Sequence, residues 1–444
     1  MCSLILAVVM AFSLTACGLA ENKFADKRNT SQIAGTLDEE TASQQSITGE
    51  ITVLTNRTDL VDNRFEEYKE DFESRYPGTK VTFKAFEDYE GEAAKLIASG
   101  DYGDVLLIPG AIANKDYDTY FEPLGTIESL SCDYDKEYLY AAAIGEDVYG
   151  LASGVNMQGI VYNKRIFDEA GIEEIPKTPE DFLEGLKLIK ENTSAIPCYT
   201  NYAAGWTLTA WQDYCWGGAT GDASYHQNGM VEDDKPFSKG KPNYEVHKIL
   251  YDIVNEGLCE EDIENTDWEA SKGMLNRGEI GCMVLGSWAY GQIQAADSHP
   301  EDVGYMAFPI SKGDRQYATA ATDYCYAVSR NSKNKETAKA WITYMLQDTG
   351  FAISEGSVSI YRLDPNPGTV ADFYGVELIM DSGATPENSG RFETVNQNSG
   401  INLTSEDSKK QIVAAALADE ESFDDVMNDW NEKWSKALSE CKAQ

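Results

Sequence analysis

Cys17 is the residue of this chain whose surroundings most directly prescribe a chemistry. It follows Leu14-Thr15-Ala16 and precedes Gly18, a spacing that resembles a lipobox, where small side chains admit a peptidase and the thiol accepts a diacylglyceryl group. The apolar run from Leu4 to Leu14 is about half the ~20 residues a membrane-spanning helix needs, and suits the core of an export signal. No Lys or Arg precedes that run. The other reading is an ordinary signal peptide with an incidental Cys, since small residues also precede ordinary cleavage sites. Lipidation at Cys17 implies a protein held on the outer face of the cytoplasmic membrane, as in a Gram-positive bacterium.

The remaining reactive groups form no constellation. Cys132, Cys198, Cys215, Cys259, Cys282, Cys325 and Cys441 are an odd set without CxxC spacing, so no zinc site is written. Several sit in apolar runs such as Cys282-Met283-Val284-Leu285, where a buried free thiol is the commoner state; one disulfide stays open. The three histidines, His226, His247 and His299, are scattered, with His247 in a helical stretch as a surface or satisfied core residue. HExxH, GxSxG and P-loop patterns are missing. With 75 acidic residues, a pair of carboxylates spaced for glycoside hydrolysis carries no information. Neither catalysis, a metal nor a cofactor is expected.

Those 75 acids face 36 Lys and Arg, a net charge of −39. Such a field repels phosphates, so nucleic acid is excluded as a partner, and the charge reads as a solvated surface. At 444 residues and 42% hydrophobic, the chain can bury a sizeable core in two or three domains. Glu21 to Gly49 is polar and without a period, and reads as a tether with a reach on the order of 30 Å.

The elements begin at Ile51-Thr52-Val53-Leu54, a strand signal. Phe65, Tyr68 and Phe72 follow at helical spacing, then a Tyr76-Pro77-Gly78 turn, the alternating Val81, Phe83 and Ala85, a helix with Ala93, Leu96 and Ile97, and the buried run Val105 to Ile108. This βαβαβ order predicts a parallel sheet with ligands at the carboxyl ends of its strands. The alternation resumes at Gly159 to Tyr162. Thr178 then caps a helix opened by Pro179, Glu180 and Asp181. Further signals are a helix from Tyr244 to Asn255 closed by Gly257, a strand from Ile280 to Leu285, a strand from Tyr324 to Val328, a helix from Glu336 to Leu346, and a wholly helical stretch from Ser405 to Leu438. Asp104 after Gly103 reads as a structural turn carboxylate.

Tyr149-Gly150-Leu151 followed by Gly159-Ile160-Val161-Tyr162-Asn163-Lys164-Arg165-Ile166-Phe167 resembles the maltose-binding type of extracellular solute-binding proteins of bacterial ABC importers. Lys177-Thr178-Pro179-Glu180-Asp181-Phe182, Gly217-Gly218, Gly286-Ser287-Trp288-Ala289, and Ala327-Val328-Ser329 before Asn334-Lys335-Glu336-Thr337-Ala338 sit where that family has similar elements. The likeness runs from Glu50 to Leu346 and is vague beyond Ser354. It implies an α/β, two-lobed periplasmic-binding-protein-like fold of type II, with the ligand cleft between hinged lobes. On that frame, residues 1–17 are the signal and 18–49 the tether. The N-terminal lobe takes 50–156 plus about 311–355, and the C-terminal lobe 157–310 plus about 356–444. The crossings fall near Asn156, near Ser311, and between Gln347 and Tyr361.

The resemblance implies capture of a sugar or short oligosaccharide by a monomer and its delivery to a membrane permease. Sugars ask for aromatic faces and planar polar groups, since a buried unpaired hydroxyl is costly. The family's positions match Asn56 and Arg57 in the loop after the first strand, Asn156 at the hinge, and Trp206 and Trp288 on the second lobe. Asp323 and Tyr324 before the returning strand, Asp88 and Tyr89 after the second strand, and the loop Pro109-Gly110-Ala111 complete the expected wall. Trp211, five residues after Trp206, reads as core, and Ser287 as the N-cap of the helix carrying Trp288. Other cargoes for the same fold are a polyamine, a metal or a peptide. Iron carriers of related architecture use adjacent tyrosines, and only Tyr138-Leu139-Tyr140 and Tyr324-Cys325-Tyr326 come close.

Overall fold

The computed structural model describes residues 47–365, 375–418 and 422–442. The expected signal, Cys17 and nearly all of the tether lie outside them. The folded chain contains two large sheets, each with its own core.

In the first sheet, Gly49–Thr55 lies between Thr79–Ala85 and Val105–Leu107 and runs parallel to both, as the alternating strand and helix signals require. Cys325–Ser329 then adds antiparallel to Val105–Leu107, and Phe121–Glu122 and Leu151–Ala152 pair with Cys325–Ser329. Helix Arg64–Arg75 buries Phe65 and Phe72, and Lys335–Gln347 brings Trp341 edge-on to Phe72 with ring centres 5.2 Å apart. Asp104 accepts the Thr52 N–H at 2.8 Å and the Ser332 hydroxyl at 2.6 Å, which ties the turn at Gly103 to the sheet.

The second sheet runs Ile196–Cys198, Ile280–Gly286, Val155–Asn163, Gln316–Thr322, Val376–Ile379, with Val303–Met306 also on Val155–Asn163. All of Ile280–Gly286 is buried, which explains its unbroken apolar run. Thr178 accepts the Asp181 N–H at 3.1 Å and Pro179 opens the helix Pro179–Asn192. The helix Pro242–Asn255 ends before Gly257, whose φ of +62° suits a residue without a β-carbon. The stretch expected to be helical from Ser405 to Leu438 holds two helices, Glu406–Leu417 and Phe423–Lys442. Ala418 turns extended, and Ser422 and Asp425 bond each other at the start of the second helix. Trp430 and Trp434 of that helix are fully buried against Phe237. All seven cysteines of the described residues are free thiols.

Among the described residues the chain changes from one sheet to the other three times. The first passage lies between Ala152 and Val155. The return lies between Thr322 and Cys325 and not near Ser311, because Gln316–Thr322 is still paired with Val155–Asn163. The last lies between Ile360, packed in the first core, and Val376, paired with Gln316, and not in the expected stretch from Gln347 to Tyr361, because Tyr361 still packs on the first core and Arg362 donates its N–H to the Asp133 carbonyl.

Candidate functional site

The passages meet at Asn156. Its Nδ2 donates to Asp323 Oδ2 at 2.9 Å, and its Oδ1 accepts from Ser357 Oγ at 2.6 Å and Ser287 Oγ at 3.4 Å. Asp323 Oδ1 accepts the Tyr324 N–H at 2.6 Å. One carboxamide therefore joins residues at or beside all three passages to the turn that starts the Trp288 helix. Ser287 stands at the N-cap position expected of it but does not cap the helix. Its backbone is already helical, its hydroxyl makes no capping bond, and it instead accepts the Met157 N–H at 3.0 Å.

Arg57 is held in the same region. Its Nε and Nη2 form a two-pronged pair with Asp59 at 2.8 and 2.7 Å, and its Nη1 reaches Glu355. Arg64 donates to the other Glu355 oxygen at 2.8 Å and to Ser354 Oγ at 3.1 Å. Burial pulls the Arg57 pKa down, but Asp59 and Glu355 outweigh it and hold it above the usual range. For the Asp59 carboxyl, burial pushes up, while Arg57 and then Lys272, from a second-lobe helix, bring it below its ordinary value. Gly291 of the Trp288 helix packs against this segment, and a β-carbon there would sit 2.8 Å from the Ser354 carbonyl oxygen. Asn56 is half-buried in the neighbouring turn, with no partner among the described residues for its side-chain amide and its carbonyl accepting the Thr58 N–H at 3.1 Å.

On the first lobe, Asp88 is exposed and caps the helix Tyr89–Ser99, accepting the Gly91 N–H at 3.2 Å. Tyr324 donates its phenol to Glu90 Oε1 at 2.6 Å, and Glu90 Oε2 accepts the Gly110 N–H at 3.0 Å. Burial and the bond to Glu90 push the Tyr324 pKa up. Glu90 thus ties the returning strand to the expected Pro109-Gly110-Ala111 wall, a role that one acid among 75 does not announce.

The second lobe supplies the aromatic surface. Trp206 is 44% exposed, Trp268 and Trp288 are half-buried. Their ring centres are 5.4 Å (Trp206 to Trp268), 5.6 Å (Trp206 to Trp288) and 5.7 Å (Trp268 to Trp288) apart, with interplanar angles of 81°, 46° and 62°. The three indoles form a corner and not a stack. Gly286 makes room for it, since a β-carbon there would fall 2.6 Å from the Trp288 indole nitrogen. Trp268 opens the helix Trp268–Arg277, whose Asp267 cap accepts the Ala270 N–H at 3.0 Å, and the Lys272 amine lies 5.2 Å over its ring. Sequence reasoning missed Trp268. The one available signal was an aromatic directly after a capping Asp. Trp211 is core, edge-on to Phe308.

His247 is buried, and burial pushes its pKa down to about 3. His226 stacks on Trp216 with ring centres 3.8 Å apart. Tyr138 lies in a helix, the Tyr324 phenol is taken by Glu90, and Tyr326 is buried. Among the described residues no three His, Cys, Asp or Glu side chains are grouped to hold a metal ion.

Residues 59–350 match the bacterial extracellular solute-binding protein family. The chain belongs to that family. A binding protein of an ABC transporter from Bifidobacterium animalis subsp. lactis, solved with mannobiose, is 38% identical to this solute-binding protein. The match covers 89% of this chain and 95% of that one, with a TM-score of 0.79. A manno-oligosaccharide-specific solute-binding protein of the same organism, solved with mannotriose, is 36% identical over the same shares, again with a TM-score of 0.79. The multiple sugar-binding protein of Streptococcus mutans is 25% identical over 317 residues, 68% of this chain and 73% of its own. The solute-binding protein has the two-lobed α/β fold of type II, with Asn156 at the joint of the lobes and the indole corner on the second.

Proposed function

We propose that the protein captures a neutral oligosaccharide between its lobes and delivers it, as a monomer, to the permease of an ABC importer. The observation that carries this reading is the corner of Trp206, Trp268 and Trp288. Indoles offer broad, stiff faces to the apolar side of pyranose rings at little cost in side-chain entropy. The mannobiose and mannotriose held by proteins 38% and 36% identical support it. Trp206, Trp288 and the amide of Asn56, without a partner among the described residues, are the proposed contacts. Arg57, Asn156, Asp323 and Tyr324, already bonded within the protein, are proposed to shape and hinge the cleft, and Asp88 to cap a helix at its edge.

A thermal-shift panel of mannobiose, mannotriose, other neutral oligosaccharides, polyamines and metal ions tests the cargo, because a ligand raises the melting temperature of the state it binds. A shift with sugars alone supports the reading, and one with polyamines alone replaces it. The oligosaccharide recovered after long incubation should be intact. Solution scattering with saturating sugar should give a smaller radius of gyration than without, since a ligand between two lobes favours the conformation in which both touch it. Anchoring through Cys17 belongs to the same reading. A Cys17→Ala protein made in its host should leave the membrane fraction, and one that stays bound after salt washing ends the lipoprotein assignment.

A further inference from the structure

Among the described residues, the Oε1 of Gln158, beside the indole corner, is buried without a partner. Gln158 stands two residues after Asn156 on the strand Val155–Asn163, so the two side chains share a face of the second sheet. It pairs with Gly286, two residues before Trp288. A β-carbon at Gly286 would lie 3.5 Å from Gln158 Oε1 and 2.6 Å from the Trp288 indole nitrogen. The space that glycine leaves therefore has a carboxamide oxygen and an indole edge both at its border. The Asn156 oxygen is spent on Ser357 and Ser287. Of these two neighbouring amides, only Gln158 has an unused acceptor. A buried acceptor without a donor is costly, and a site built to bond a ligand hydroxyl carries that cost until the ligand arrives.

We propose that Gln158 is a specificity-determining residue of the cleft, its Oε1 accepting a hydrogen bond from a hydroxyl of the sugar ring that lies against Trp288. This rests on the oligosaccharide reading and adds to it a polar contact with a direction: the ligand must present a donor there. A sugar lacking that hydroxyl leaves Oε1 unpaired in the closed cleft and is discriminated against.

The test is Gln158→Met, which keeps the length of the side chain and removes the acceptor. Calorimetric titration with mannotriose should show affinity lowered about tenfold or more against wild type. The ligand-free variant should melt at or above the wild-type temperature, because an unpaired buried oxygen has been removed. Unchanged affinity for mannotriose, or a lower melt with unchanged affinity, overturns the proposal and makes Gln158 a structural residue. A wild-type protein that binds neither mannotriose nor any other neutral oligosaccharide overturns the oligosaccharide reading and this inference with it. The structure of the wild-type mannotriose complex decides independently of how the variant folds. A sugar oxygen about 2.5–3.0 Å from Gln158 Oε1 supports the assignment, and a water in that place overturns it.

Discussion

Where the lobes join, Arg57, Asn156, Asp323 and Tyr324 each bond another protein group. On the second lobe, Trp206, Trp268 and Trp288 meet at 5.4–5.7 Å and leave Trp206 44% exposed. The difference follows from what each chemistry costs when it waits. A partly buried amide, carboxylate or guanidinium without a partner is penalised, so such groups pair with one another and become framework. A half-exposed indole forfeits only some burial and can stand ready for a ring. The half-buried Asn56 amide and Gln158 depart from that pattern, and Gln158 does so with a buried oxygen, left on the polar side of the comparison in the waiting state of the aromatic side.

The largest effect should come from the polar side. Glu355 is held by Arg57 and Arg64, and its side chain is 11% exposed. Removing it leaves two guanidiniums without their shared anion, and breaking such a buried pair costs roughly 3–5 kcal/mol. Arg64 is 35% exposed and can rehydrate, so Glu355→Ala should lose about 3 kcal/mol of unfolding free energy in urea, the low end of that range. A loss within the ~0.5 kcal/mol of an ordinary surface substitution would remove these groups from the framework.

Trp288→Ala should act on affinity instead. If the corner is a binding hot spot, titration with a bound oligosaccharide should show a loss of about 2 kcal/mol or more, roughly thirtyfold, with a near-normal melt. If the indole is core packing, the same change should cost roughly 3–5 kcal/mol of stability. A collapsed melt, or unchanged affinity in a folded variant, would erase the contrast between the two regions.

The strands and helices were legible because their periods are local: Thr178 and Pro179 announce a helix, and Val105 to Ile108 a buried strand. The candidate site was legible only by residue type. Trp206 and Trp288 stand out as tryptophans anywhere do, but Trp268 reads as an ordinary first helical residue until the fold sets it against them. Asn156 reads as a ligand amide because nothing local shows that Ser357, 201 residues later, fills its oxygen. Ser287 reads as a cap for the same reason, since its partner Met157 is 130 residues away across the sheet. The return between the lobes was misplaced because Gln316–Thr322 is built of small and polar residues with little apolar signal.

The second lobe also has a framework of paired polar groups, and Lys409 tests whether pairing there behaves as it does at the joint. Its amine is buried and donates to Gln212 Oε1 at 3.1 Å and to the Leu403 carbonyl. Burial pushes its pKa down to about 8 from an ordinary 10.5, with Cys215 and Asp213 acting the other way. Between those values the unfolded chain binds more protons than the folded one, so stability rises with pH. From pH 8 to 9.5 the gain should be about 1.5 kcal/mol in urea unfolding. Lys409→Met should flatten that slope, and an equal slope in both proteins would place the titration elsewhere.

The smallest effect bears on the edge of the comparison, at Asp88. By residue type it could have been a ligand carboxylate, yet it is exposed, and its oxygen accepts the Gly91 N–H at the start of the helix Tyr89–Ser99. A cap of this kind contributes roughly 1 kcal/mol, because it satisfies one of the backbone donors that a helix start leaves free and faces the positive end of the helix dipole. The same helix carries Glu90, which holds Tyr324 and Gly110, so fraying of its first turn would loosen the wall without removing a contact. Asp88→Ala should therefore lower stability by about 1 kcal/mol and leave oligosaccharide affinity within about twofold, whereas Asp88→Asn or Asp88→Ser should restore most of the loss. An affinity drop of tenfold or more in Asp88→Ala with an unchanged melt would return Asp88 to the ligand and shift part of the cleft's polar recognition onto the first lobe.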